Sequence, residues 1–338
     1  MFGRTNVIKS VAKNPLFDYI GDGSDGDIVV ASGETYTIDV IECAESAVLN
    51  CKSLTVEAGG VLTVSHRCQG LFLKVQNDCV INGTINMDKK SPHLVCVNED
   101  DLAANPCITL FGSPVGGNGG AGGTSCYYQY SGRDTANSIA GGGAGGTGTV
   151  FGGGLGGGGG GNTSGGAGNR PPVGTQWPYP GTNAAGMYGA GGGASGANGG
   201  KAPGGSGGVA YGSTKAGAAG DAYGGGAIYI LVGGNLTLGS SSRLTAWGGN
   251  GAASGNYMSN GYRCPGAGGG GGGGLVRIVY GKSYTNNGVT ITVGGGNGGK
   301  GTTVSSAVSS TLLNWSTGKN GTTGDSKVYT FDELLPKD

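Results

Sequence analysis

The chain has little charge and no excess of either sign. Only 12% of its 338 residues are charged, and the formal net charge is zero. Proteins that bind nucleic acid or an anionic bilayer use a basic field, which this composition does not provide. Low charge also disfavours simple disorder, because disordered chains usually carry a high net charge. We therefore expect a folded protein that binds no nucleic acid.

Long apolar runs are missing as well. No apolar stretch approaches the roughly 18 residues that a membrane-spanning helix needs, so we expect no membrane insertion. The segment Met1–Tyr19 contains three basic residues but no apolar core of a secretory signal. The eight cysteines are then made in a reducing cytoplasm, and we expect mostly thiols, with disulfides or a metal site as alternatives. Cys126 and Cys264 are the best candidates for exceptions, because both fall in loops between glycine runs.

Residues that carry catalysis are scarce. The chain has two histidines, His66 and His93, and neither has a recognisable partner. A glycosidase needs two carboxylates about 5–10 Å apart, whereas the glycine-rich half offers only Asp134 and Asp221. A carboxylate pair from residues 1–111 stays open as an alternative. Matches to nucleotide-binding motifs fail on their required residues, so we expect a protein that is not an enzyme and needs no cofactor.

Glycine is what the sequence has in excess. It makes up 82 of the 338 residues, about a quarter of the chain, where about 7% is usual. The excess is concentrated between residues 112 and 280, and the rest has a more ordinary composition. This distribution predicts four segments, namely an N-terminal attachment segment (1–27), a β-rich domain (28–111), a glycine-rich region with aromatic tip loops (112–280), and a C-terminal β rung and tail (281–338).

Short β-strands are predicted from residue 28 onward. Runs such as Val61–Val64, Leu71–Val75 and Cys79–Ile81 alternate apolar and polar residues between Gly, Asn or Asp breaks. The segment that begins at Gly70 recurs at Ala227 and, more loosely, at Leu275. Such a repeat predicts stacked solenoid-like β rungs that bracket the glycine region on both sides. The preceding segment Gly21–Asp27 is predicted to be a turn, with a calcium loop as the alternative.

The glycine runs predict an ordered stack. Examples are Gly141–Gly148, Gly152–Gly161 and Gly266–Gly274. A flexible linker is the alternative, and collagen is excluded because no strict Gly-X-Y period exists. An extended threefold helix makes no internal hydrogen bonds, so its N–H and C=O groups can bond laterally to neighbours. We therefore predict an all-β fold with a stack of polyglycine II helices, in which the rungs bracket a glycine-rich sandwich.

The segments between the glycine runs are rich in aromatic residues. Tyr and Trp offer a large contact area with few rotatable bonds and a polar group, which is typical of recognition surfaces. The alternative is that the rings only cover the open ends of the glycine stack. The candidate receptor-binding residues are Tyr127, Tyr128, Tyr130, Trp177, Tyr179, Tyr188, Tyr257 and Tyr262.

The tract Gly141–Gly161, the later runs to Gly274 and the rung Ala227–Leu238 resemble the glycine-rich adhesins of tailed phages, which include the small tip adhesin of T-even-like long tail fibres. This resemblance implies a non-catalytic receptor-binding protein of the virion, made in the host cytoplasm. Its implied partners are a bacterial surface receptor, either a glycan or an outer protein, and other tail or baseplate proteins, with a homotrimer as one option. A purely structural virion protein of the baseplate, fibre shaft or capsid decoration is the alternative.

Overall fold

The structure is a computed structural model, and it describes the chain in several stretches. The described residues are 17–43, 45–92, 108, 110–123, 125–128, 137–140, 145–156, 222–253, 257–258, 262–264, 267–300 and 317–335. Within this part of the chain, no helix is long and apolar enough to cross a membrane.

Strands and glycine-rich segments make up most of the described chain. Two short helices are α1 (Phe17–Ile20) and α2 (Phe331–Leu334). The strands are β1 (Gly26–Val30), β2 (Thr35–Ile38), β3 (Ala47–Val56), β4 (Val61–Val64), β5 (Leu71–Val75), β6 (Cys79–Ile81), β7 (Thr84–Asn86), β8 (Ser125–Tyr128), β9 (Asn137–Ala140), β10 (Ala227–Val232), β11 (Leu236–Leu238), β12 (Arg243–Thr245), β13 (Tyr257–Met258), β14 (Tyr262–Cys264), β15 (Leu275–Tyr280), β16 (Tyr284–Asn286), β17 (Thr290–Thr292) and β18 (Asp325–Thr330).

The largest sheet has nine parallel strands. Its order is β16-β11-β6-β3-β5-β10-β15-β18, and β1 pairs with β3 beside this path. The long strand β3 pairs with two neighbours, because Ala47–Cys51 lie beside β5 whereas Leu54–Val56 lie beside β6. The sheet therefore changes direction along β3 and curls into a half-barrel.

A second parallel sheet closes the core. It has five strands in the order β17-β12-β7-β4-β2. One apolar cluster contains buried side chains from both sheets, including Leu54 and Ile81 of the large sheet and Leu62, Ile85 and Leu244 of the small one. Burial of each such side chain contributes about 1.5–3 kcal/mol, so this cluster is a main source of stability.

The predicted fold class is wrong. We expected an all-β fold in which solenoid-like rungs bracket a polyglycine II sandwich, whereas the protein has a parallel half-barrel sheet and a second parallel sheet, an α/β-type arrangement. The physical reason lies in strands such as β5 and β10, whose residues are almost all buried. Continuous apolar strands covered on both faces are the mark of a parallel sheet.

The internal repeat of the sequence corresponds to neighbouring strands of the large sheet. Ile228 of β10 lies opposite Leu71 of β5 on one side and Val276 of β15 on the other. One residue further, the Phe72 and Tyr229 rings stack with their centroids 4.7 Å apart. Equivalent positions of the three copies are thus side by side. The four segments predicted from composition remain a prediction, and strands from three of them share this sheet.

Glycine-rich segments pack against one another through backbone hydrogen bonds. The segment 267–274 donates to three neighbours, since Gly270, Gly271 and Gly272 bond the carbonyls of Lys319, Gly249 and Gly154 at 2.8–2.9 Å. These backbones approach very closely. A Cβ on Gly272 would lie 2.0 Å from the carbonyl oxygen of Gly117. Glycine is therefore required here by the close approach of the chains.

The turn predicted within Gly21–Asp27 is confirmed at Ser24 and Asp25, whereas Gly26 and Asp27 begin β1. Its aspartates accept hydrogen bonds from the protein, since Asp25 Oδ2 bonds the Asn50 N–H at 2.7 Å and Asp27 Oδ1 bonds the Ser53 hydroxyl at 2.6 Å. The carboxylates thus join this turn to β3.

Candidate functional site in a small antiparallel sheet

A third sheet differs from the other two in having antiparallel strands. Its order is β13-β14-β8-β9. Tyr127 and Tyr128 lie in β8, Tyr257 lies in β13, and Tyr262 lies in β14. We call this four-stranded unit the tyrosine sheet.

The register of the tyrosine sheet brings these residues into two adjacent rows. In one row, Tyr262 lies opposite both Tyr128 and Met258. In the next row, Arg263 lies opposite both Tyr127 and Tyr257. Opposed residues in antiparallel strands have Cα atoms about 4.5–5.5 Å apart. Tyrosines from two distant parts of the sequence therefore become neighbours.

Two glycine-rich segments lead into the central strands of this sheet. They run in opposite directions and are joined by a backbone hydrogen bond at every third residue. The bonds run from the N–H groups of Gly117, Gly120 and Gly123 to the carbonyls of Gly273, Gly270 and Ala267, at 2.8, 2.7 and 2.8 Å.

The register of β8 and β14 continues this pattern. One further step of three residues along each segment leads from Gly123 to Cys126 and from Ala267 to Cys264. Cys126 and Cys264 are indeed opposite each other in the sheet. The glycine segments therefore set the alignment of the strands that contain the tyrosines.

Close packing prevents these segments from slipping. A Cβ on Gly117 would lie 2.2 Å from the Thr322 carbonyl oxygen, and one on Gly119 would lie 1.9 Å from the Leu155 carbonyl oxygen. Asn118, between them, is exposed, and its Oδ1 accepts a hydrogen bond from the Gly148 N–H at 2.9 Å. A shift of one residue would move the Asn118 side chain into a position with no space for it.

The structure describes half of the predicted site. Tyr127, Tyr128, Tyr257 and Tyr262 come together, whereas Tyr130, Trp177, Tyr179 and Tyr188 lie outside the described residues. Sequence reasoning treated the surrounding segments as tip loops and missed that they pair as strands. It also missed the central register position of Arg263. The available signal was the strand-like tripeptide Tyr262–Cys264, which is too short to predict a strand from its pattern alone.

The remaining chemistry-bearing groups are core thiols. Burial raises the pKa of Cys51 to about 12 and that of Cys68 to about 11, so both stay protonated near neutral pH. Cys79 lies in β6, within the predicted run Cys79–Ile81, and Cys68 lies in the connection between β4 and β5. Among the residues that the structure describes, no group of three or more His, Cys, Asp or Glu side chains could hold a metal ion.

Comparison with known proteins leaves the site to be interpreted from its own geometry. No family model, no curated protein and no solved structure matches the chain. One row of this small sheet combines aromatic residues with a basic one, since Arg263 lies between Tyr127 and Tyr257, and this suits binding through contact area and one positive charge.

Proposed function

We propose that this chain is a non-catalytic receptor-binding protein, an adhesin, of a phage tail fibre or tail tip, and that the tyrosine sheet contacts the bacterial surface. One observation carries the proposal. Four of the aromatic residues expected to bind the receptor occupy two neighbouring rows of one sheet, and such rows alternate between its two faces, although the residues come from distant segments. Aromatic side chains that only covered the open ends of the glycine stack would not need to be aligned in the register of one sheet.

The chemistry of these residues favours a surface glycan as the receptor. Tyrosine combines an apolar ring, which stacks on the C–H face of a sugar, with a hydroxyl that can exchange hydrogen bonds. Arg263 sits between Tyr127 and Tyr257 in the register and adds a positive charge for an acidic sugar. Residues on paired strands are also positioned more precisely than residues on loops, which reduces the entropy lost on binding.

The remaining parts of the proposal concern assembly. We propose that residues 1–27 attach the chain to another tail or baseplate protein, and that a homotrimer is one possible assembly. The protein would then be made in the host cytoplasm and reside in the virion. A purely structural role in the virion is the competing function, and cell binding separates the two.

The test replaces two tyrosines that face each other in register. We expect Tyr128→Ala with Tyr262→Ala to weaken adsorption of the purified, labelled chain to host cells by roughly thirtyfold or more, since truncating one aromatic anchor often costs about 2 kcal/mol. The control is Tyr36→Ala, because Tyr36 is a partly exposed tyrosine on β2, outside the tyrosine sheet.

Melting temperatures measured on the same preparations complete the design. The double variant is expected to lose adsorption and keep its melting temperature. The control is expected to keep both its adsorption and its melting temperature. Unchanged adsorption per folded molecule would remove the row of Tyr128 and Tyr262 from receptor binding, and the same result for Tyr127→Ala with Tyr257→Ala would remove the tyrosine sheet. If the unaltered chain binds no strain in a broad panel but assembles with tail proteins, the structural role replaces the adhesin.

A further inference from the structure

Two cysteines oppose each other at the base of the tyrosine sheet. Cys126 of β8 lies opposite Cys264 of β14. Opposed residues of antiparallel strands have Cα atoms about 4.5 or 5.5 Å apart, depending on the type of pair. A disulfide joins Cα atoms about 4.4–6.8 Å apart, so both types of pair fall inside its range. The backbone spacing at this position is therefore that of a cross-link.

The glycine segments support this register independently of the strands. Their hydrogen bonds recur at every third residue, and the last bond joins Gly123 to Ala267 at 2.8 Å. Cys126 and Cys264 each lie three residues beyond that bond. Because Asn118 cannot move into the space of its glycine neighbours, the pairing of the two cysteines cannot shift without breaking the packing below them.

We infer that Cys126 and Cys264 form a disulfide between β8 and β14 when the protein meets a small-molecule disulfide such as oxidised glutathione. In this reaction one cysteine thiolate attacks the glutathione disulfide and releases the first glutathione thiol. The second cysteine then attacks the mixed disulfide and releases the other. One S–S bond forms in the protein, one breaks in glutathione, and the two cysteine protons end on the two glutathione thiols.

The core cysteines differ from this pair in position. Cys51 and Cys68 are buried in the cluster between the two parallel sheets, and that burial raises the pKa of both thiols. The attacking species in disulfide exchange is the thiolate, so these protonated thiols react slowly in the folded protein. They serve as internal controls.

The cross-link would tie together two ends of a long stretch of sequence. The residues between Cys126 and Cys264 include all of β9, β10, β11, β12 and β13, as well as Trp177 and Tyr179. A disulfide that closes such a long loop restricts the unfolded chain strongly, so it raises stability. This inference does not rest on the proposed function, because the pairing holds whatever the tyrosine sheet binds.

Peptide mapping of the full chain tests the inference directly. The protein is incubated with oxidised glutathione, unfolded, alkylated and cleaved with trypsin without reduction. Cleavage after Arg263 and Arg277 releases a fragment, 264–277, in which Cys264 is the single cysteine. We expect it joined to fragment 91–133, which contains Cys126, and we expect two fewer thiols than in the reduced protein.

Variants assign the partner within fragment 91–133, which also contains Cys96 and Cys107. The joined fragments should persist in the Cys96→Ser/Cys107→Ser variant and disappear in Cys126→Ser. Oxidation should also raise the melting temperature of the unaltered chain and leave that of Cys126→Ser unchanged. Alkylated Cys264 in the oxidised unaltered chain, or a cross-link between two chains on a non-reducing gel, would overturn the inference. Neither result depends on whether the variants fold.

Discussion

Single backbone contacts decide where this chain can accept a side chain. In the segment 267–274, a Cβ on Gly270 would lie 2.1 Å from the Gly296 carbonyl oxygen, and one on Gly272 would lie 2.0 Å from that of Gly117. Side chains occur at every third residue of the neighbouring segment, where Asn118 is exposed and Ala121 is half-buried. One methyl group at the wrong position therefore has a large effect.

Gly272→Ala tests this requirement. We expect it to lower the free energy of unfolding by about 1–3 kcal/mol or more, because the added Cβ forces backbones apart in a packed region. Ala121→Ser is the control and should change stability by less than about 0.5 kcal/mol, since a half-buried side chain is already accommodated there. Urea denaturation gives both values. Equal midpoints for Gly272→Ala and the unaltered chain would contradict the close-contact argument.

At the scale of elements, glycine segments and strands form one continuous pairing. The hydrogen bonds that join residues 117–123 to residues 267–273 lead directly into the pairing of β8 with β14. A strand shifted by one residue places every side chain on the opposite face. The alignment of the tyrosines therefore depends on the chain length between the last glycine bond and each strand.

Insertions after that last bond test this dependence. One glycine inserted after Gly123 shifts β8 by one residue against β14, and we expect amide hydrogens in both strands to exchange at least about tenfold faster, since each lost ladder bond contributes about 0.5–1.5 kcal/mol. A second glycine inserted after Pro265 lengthens both segments equally and should restore protection. Hydrogen exchange read by mass spectrometry follows these strands. Equal protection in the single and double insertions would show that the glycine segments do not set the register.

At the scale of the whole molecule, strands that are distant in sequence form one core. The strand β10 pairs with β5 although the glycine-rich region separates them in sequence. The cluster between the parallel sheets includes Cys51, Cys68 and Cys79, all buried. These thiols are therefore shielded from water only when strands from distant parts of the sequence have packed together.

Stability should fall in alkaline solution because of these thiols. Burial raises the pKa of Cys51 to about 12 and that of Cys68 to about 11, whereas an unfolded cysteine has a pKa of about 8.5. Between those values the unfolded chain loses protons that the folded chain keeps. The contribution of each thiol to the free energy of unfolding is thus complete below about pH 8.5. Above that pH it decreases, by up to about 1.4 kcal/mol per pH unit.

Denaturation midpoints at pH 7.5, 9 and 10 measure this decrease. Because other groups also titrate there, the informative quantity is the difference in slope between the unaltered chain and Cys51→Ala. We expect a shallower slope in the variant, even though the variant is less stable at every pH. Parallel slopes would mean that the Cys51 thiol ionises equally easily in the folded and unfolded chains.

Local patterns of the sequence determined several strands correctly. The predicted runs Val61–Val64, Leu71–Val75 and Cys79–Ile81 have the bounds of β4, β5 and β6. Apolar alternation between Gly, Asn and Asp breaks is a short-range property, so it can be read along one stretch of chain. The strand β3 shows the same alternation, since Ala47, Leu49 and Cys51 are buried whereas Val48 and Lys52 are exposed.

Only the tertiary structure decided the fold class and the composition of the candidate site. The glycine runs suggested a polyglycine II sandwich, but which backbone bonds to which is a property of neighbouring chains and not of composition. Burial of β5 and β10 on both faces likewise depends on what covers them. The tyrosines could be proposed as binding residues from composition, yet the pairing of Tyr128 with Tyr262 lies next to hydrogen bonds between glycine segments far apart in sequence. Contacts of that kind are made across space, which is why the order of residues alone did not reveal them.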